Sequence, residues 1–138
     1  FLGDAEKFPL VLISYKLALN QEGRSQNTPW YQELAHPMYN TGGTNFAELN
    51  PETAAKFGIQ DGDEVFVESQ FGKLRIRAKV FEGIHPGIVA MSFGPGHHHY
   101  GRLAVGKGAN PNEITGEDYE PYSGMAAYFN TRVKVYKA

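Results

Sequence analysis

The residues best suited to chemistry lie in two long polar stretches and just ahead of the last alternating segment. The first stretch is Ser14-Tyr15-Lys16, followed by Asn20-Gln21-Glu22-Gly23-Arg24-Ser25-Gln26-Asn27-Thr28. Its hydroxyls, side-chain amides and free backbone N–H groups suit a polar ligand. Lys16 and Arg24 can add charge-assisted bonds to an anionic one. The second stretch, Phe93 to Asn112, carries His97-His98-His99 and Tyr100 and leads into Asn110-Pro111-Asn112-Glu113-Ile114-Thr115. Adjacent histidines diverge, especially on extended backbone. Zinc sites draw ligands from separated positions, and no cysteine supports one here. The run therefore reads as a loop offering one imidazole to a ligand, with no metal site.

Several other chemistries find no support. The glycines Gly94, Gly96, Gly101, Gly106 and Gly108 lack the strand–GxGxxG–helix setting of a dinucleotide fingerprint, and no GxxxxGK[ST] run occurs. No carboxylate pair is marked for glycosidase work, and no serine sits in a nucleophile elbow. His85, ahead of a Pro-Gly turn, reads as structural. Arg75, Arg77 and Lys79 form a basic stripe, either a solvated outer face or a packing face on a larger protein. The absence of cysteine excludes disulfides, thiolate metal sites and iron–sulfur ligation within these residues. A net charge of −2 gives no broad field for nucleic acid. No run is long and apolar enough to insert in a membrane, and no signal peptide is read. A start at Phe1 suggests a fragment or a processed product. The compartment stays open, on either side of a prokaryotic membrane complex.

The elements that must hold these stretches are short. A chain of 138 residues fits one domain, and 16 glycines with 8 prolines favour a turn-rich β-protein. Pro9–Ser14 reads as a first buried strand, and Asn45–Leu49 as a short one. A helix over Glu52–Lys56 is announced by Asn50 as N-cap and Pro51 at the first position, and Gly58 ends it. Asp61-Gly62-Asp63 is a turn. Val65 and Val67 alternate with polar neighbours, as do Leu74, Ile76, Ala78 and Val80 with Arg75, Arg77 and Lys79. Ile88–Met91 and Arg132–Tyr136 complete the strands. A helical turn is expected at Trp30–Leu34 and brief pairing at Glu113–Thr115.

The run LNPETAAKFGIQDGDEVFVESQFGKLRIRAKVFEGIHPGIVAM, Leu49 to Met91, resembles the C-terminal dinucleotide-binding domain of the dimethyl sulfoxide reductase family of molybdopterin oxidoreductases. The likeness runs from about Pro9 to Val135. It implies a mainly β fold, a double-psi β-barrel with one or two short helices and two long functional loops. It also implies a single domain, 1–138, within a larger catalytic subunit that carries a molybdopterin guanine dinucleotide with molybdenum or tungsten. An iron–sulfur cluster would lie outside these residues, and the other partners would be the remaining domains and an iron–sulfur electron-transfer subunit. The cofactor-binding residues it implies are Ser14, Tyr15, Lys16, Arg24, Ser25, Gln26 and Asn27 in the first loop. In the second they are His98, His99 and Tyr100, and then Asn112 or Asn110. Near the last strand the implied residue is Asn130, with Phe129 the alternative one position away. The second loop is most similar to the polysulfide, thiosulfate and tetrathionate reductase branch. Two other readings of such a barrel are a free-standing protein- or peptide-binding module and a decarboxylase that matures at a Gly-Ser bond. No Gly-Ser dipeptide occurs here.

Overall fold

The computed structural model describes residues 1–20, 22–39 and 43–138. Gln21, part of the first polar stretch, and residues 40–42 lie outside the described residues. Six strands are present among the described residues: β1 (Leu10–Tyr15), β2 (Ala47–Leu49), β3 (Glu64–Glu68), β4 (Lys73–Val80), β5 (Ile88–Ser92) and β6 (Arg132–Lys137). They close into a barrel in the order β1-β5-β2-β4-β3-β6. β1 with β5 and β2 with β4 pair in parallel; the remaining neighbours are antiparallel. The mainly β, double-psi expectation is met by this closed six-stranded barrel.

Period-two alternation sets which side chains fill it. In β4, Leu74, Ile76 and Ala78 are buried while Lys73, Arg75 and Arg77 face solvent. Val65 and Val67 of β3, and Val133 and Val135 of β6, point the same way. Leu12, Leu49, Met91 and Ile114 are fully buried among them. Each such aliphatic side chain contributes roughly 1.5–3 kcal/mol through burial. The basic stripe is neutralised on the outer face: Arg75 and Arg77 lie 2.7 and 3.5 Å from Glu64, and Lys79 lies 3.6 Å from Glu48.

Among the described residues three helices and one 3-10 turn decorate the barrel: α1 (Pro29–Tyr39), α2 (Pro51–Lys56), α3 (Gly101–Ala104) and the turn Pro111–Glu113. α2 forms as its cap dictates, with Asn50 Oδ1 accepting from Glu52 N at 2.9 Å. α1 is longer than the single turn expected. Among its described side chains Tyr31 and Ala35, one turn apart, are buried and Trp30 is exposed, so the sequence shows no apolar stripe. The expected pairing at Glu113–Thr115 is replaced by the 3-10 turn. Pro111 starts that turn, and Asn110 Oδ1 accepts from Asn112 N at 3.1 Å. Ile114 then plugs the core, its carbonyl accepting from Ser69 Oγ at 2.7 Å.

Candidate functional site

Parallel pairing of β1 with β5 puts the ends of both strands on one rim, with Ser14 opposite Met91 and Tyr15 opposite Ser92. The two polar stretches leave from those ends. They stay together at the start, where Phe93 N donates to Tyr15 O at 2.8 Å. Between them lies a cavity of about 710 Å³, within the usual range for small-molecule and cofactor sites. Ser14, Tyr15, Lys16, Asn110 and Asn112 line it, together with Glu22, the Phe93–His97 segment, Tyr128 and Phe129.

Two wall atoms are buried without a hydrogen-bond partner: Ser14 Oγ and His97 Nε2. Ser14 continues the inward row Leu10, Leu12, so a strand serving only the core would carry an aliphatic side chain there. A buried polar atom without a partner costs about 1–3 kcal/mol. Both residues belong to the wall of a cavity large enough for a polar ligand. His97 is held by ring contact with Tyr100, centroids 4.9 Å apart, and Tyr100 Oη donates to Arg24 O at 3.0 Å.

The other first-loop candidates brace the walls. Gln26 is fully buried: its Oε1 accepts from Asn20 Nδ2 at 2.9 Å and its Nε2 donates to Gly43 O. Asn27 Oδ1 accepts from Leu103 N at 3.0 Å, tying the first loop to α3. Arg24 presents its carbonyl to Tyr100, and Ser25 O accepts from Thr28 N at 2.9 Å. On the far side His98 Nε2 lies 2.9 Å from Glu113 Oε1, and His99 is exposed beside it. Asn130 Nδ2 donates to Asp118 Oδ2, while its neighbour Phe129 is on the cavity wall.

The electrostatics suit an anionic, partly aromatic guest. Lys16 Nζ sits at the mouth, 2.5 Å from Glu22 Oε1. Burial, followed by the nearby Glu48 carboxylate, pushes the Tyr15 phenol far above its ordinary value, and Tyr15 Oη donates to Glu48 Oε2 at 3.1 Å. Tyr15 therefore stays a neutral wall residue. Among the described residues no group of three or more His, Asp or Glu side chains is placed to hold a metal ion. No helix among them is long and apolar enough to cross a membrane.

Residues 12–132 match the family model for the molydopterin dinucleotide binding domain. The arsenate respiratory reductase molybdopterin-containing subunit of Shewanella sp. (strain ANA-3) is 40% identical over 98% of the chain and 17% of its own length. A tetrathionate reductase subunit from Salmonella typhimurium is 30% identical over 69% of the chain and 8% of its own length. Acetylene hydratase from Pelobacter acetylenicus superposes with a TM-score of 0.76 over 97% of the chain and 19% of its own, at 20% identity, which establishes the fold. The chain belongs to the molydopterin dinucleotide binding domain family of molybdopterin oxidoreductases, and binds the pterin dinucleotide cofactor. It spans about 17% of the length of the first relatives it matches.

The residues present fit that group. Hydroxyl, imidazole, amide and ammonium groups on the wall are of the kind that anionic and polar edges require, and Phe93, Tyr128 and Phe129 are of the kind that planar rings pack against. Sequence reasoning did not single out His97, Phe93 or Tyr128. His97 had one available signal: it follows Gly94-Pro95-Gly96, a turn that brings the start of the second loop against its end at Asn110. A Cβ at Gly96 (φ +90°) would collide with the backbone nitrogen of Asn110.

Proposed function

We propose that this chain is one domain of a larger molybdenum or tungsten oxidoreductase subunit, where it clamps a pterin guanine dinucleotide in the cavity beyond β1 and β5. The observation that carries this is the pair of buried, unpartnered atoms, Ser14 Oγ and His97 Nε2, on two residues that line a cavity of about 710 Å³. Ser14, Asn110, Asn112 and His97 would hydrogen-bond the cofactor, with Tyr15 packing at the strand end and Lys16 turning from Glu22 to a phosphate. Gln26, Asn27, Arg24, Ser25 and Tyr100 hold the loops in register. His98, His99 and Asn130 stand at the edges. The bound cofactor supplies two-electron chemistry at its metal; these residues bind it, orient it and keep water from its edges.

The parent activity in this reading is reduction or oxidation of an oxyanion or sulfur compound. The arsenate respiratory reductase relative supports the oxyanion side over most of the chain, and the tetrathionate relative supports the sulfur branch over a shorter part. An iron–sulfur cluster would sit elsewhere in the same polypeptide, with a separate iron–sulfur subunit passing electrons.

Ser14→Ala and Asn112→Ala test the clamp in the full-length subunit. Both should lower metal and pterin content severalfold, measured by elemental analysis and pterin fluorescence, without lowering the melting temperature of the cofactor-free domain. Normal content in both variants would remove these residues from the site.

A further inference from the structure

Residues 118–130 form a hairpin that is ordered from within and apolar on the outside. Tyr119 bridges antiparallel to Ala126, Glu120 N donates to Met125 O at 2.8 Å, and Ala127 N donates to Asp118 O at 2.9 Å. At its tip the Glu120 carboxylate accepts from Tyr122 N at 3.1 Å and Ser123 N at 2.6 Å. Asn130 closes the base on Asp118. This scaffold points five large side chains outward: Tyr122 (97% exposed), Met125 (69%), Tyr119 (64%), Phe129 (55%) and Tyr128 (54%). Monomeric proteins seldom leave a contiguous apolar patch of this kind uncovered. A prefixed hairpin also loses little entropy on docking. Residues 117–130 contain three acidic residues, Glu117, Asp118 and Glu120, and no lysine or arginine.

We infer that this hairpin is a docking element, and that its occupant is an apolar recess flanked by lysine or arginine on the remainder of the same subunit. The inference rests on the proposal that the chain is one domain of a larger subunit. Two observations select that occupant. The chain aligns over 98% of itself but only 17% of its arsenate reductase relative, so most of such a subunit lies outside these residues. The crown is also continuous with the cofactor cavity, because Tyr128 and Phe129 belong to both. Docking the crown therefore covers the cavity's exposed aromatic wall.

Hydroxyl-radical footprinting of the 138-residue chain and of the purified full-length subunit reads this directly. Tyr122 and Met125 should be oxidised severalfold more slowly in the full subunit than in the 138-residue chain. The double variant Tyr122→Ser/Met125→Ser should leave the melting temperature of the 138-residue chain unchanged and speed proteolytic release of the domain from the full subunit. Equal oxidation in both proteins overturns the inference. So does protection in the 138-residue chain itself, which would mean a second copy or internal packing, and so does protection that needs an added partner protein. Metal and pterin content measured on the same samples keeps the two readings apart. Protection without cofactor sinks the clamp alone, and full cofactor without protection sinks the docking alone.

Discussion

Asn45 holds three backbone groups with one buried amide. Its Nδ2 donates to Ser92 O and Ala109 O, both at 2.8 Å, and its Oδ1 accepts from Ala109 N at 2.9 Å. The side chain thus pins the second loop, one residue before Asn110, to the end of β5. Asn45→Ala strips partners from all three groups, and at about 1 kcal/mol or more for each buried unpaired group the loss should be at least about 3 kcal/mol. Urea denaturation will show it as a lower midpoint; an unchanged midpoint would mean that water replaces the amide. Nothing in the sequence marks Asn45, because a buried asparagine that serves backbone looks like any asparagine before a strand. His97 was hidden for a related reason: three adjacent histidines share one composition, and only the turn geometry of Gly94 to Gly96 decides which ring faces the cavity. Ser14 was legible, since it breaks an otherwise aliphatic strand at its end.

At the scale of elements, β3 and β6 are tied across the sheet by Glu68. Its carboxylate accepts from Tyr136 Oη at 2.7 Å and lies 3.0 Å from Lys134 Nζ. The Tyr136 bond, followed by Lys134, holds the carboxyl below its ordinary value of 4.5. A carboxyl lowered on folding adds stability that is complete above the unfolded value and is lost as pH falls through the folded one. The barrel should therefore lose stability as pH drops below 4.5, and Glu68→Gln should flatten part of that acid limb. Asp63, lowered chiefly by Lys137, keeps part of the rest, as do Glu22 and Glu120, which are lowered as well. Denaturation midpoints across the acid range will check this; an acid limb of the same slope in the variant would exclude Glu68. The strands were readable from alternation in Leu74 to Val80, and α2 from Asn50-Pro51. The parallel register of β1 on β5 was not readable, because alternation tells which face is buried and says nothing of which strand lies beside it. α1 was under-read because among its described side chains the buried ones are Tyr31 and Ala35, with Pro37 breaking the pattern.

For the whole molecule the cavity beyond β1 and β5 is a product of long-range pairing. Its walls stand on β1 and β5, and β1 in turn is covered by β6 through Leu10 on Val133. β6 also closes the other edge by pairing with β3. Without it β1 and β3 both become open edges, and Leu10, Leu12, Val65 and Val67 lose Val133 and Val135 as neighbours. A chain ending at residue 130 should show no cooperative thermal transition, as read by calorimetry; a sharp transition would mean that five strands suffice. Closure by the last strand also fixes an order of events during synthesis. Chains emerge from the ribosome at roughly 5–20 residues per second, amino end first. Ser14 is made before the other five strands, but the pocket it lines cannot take shape until residues 132–137 have cleared the exit tunnel. Closure of this pocket therefore waits on β6, and an assembly factor acting before β6 is made would find the pocket unformed.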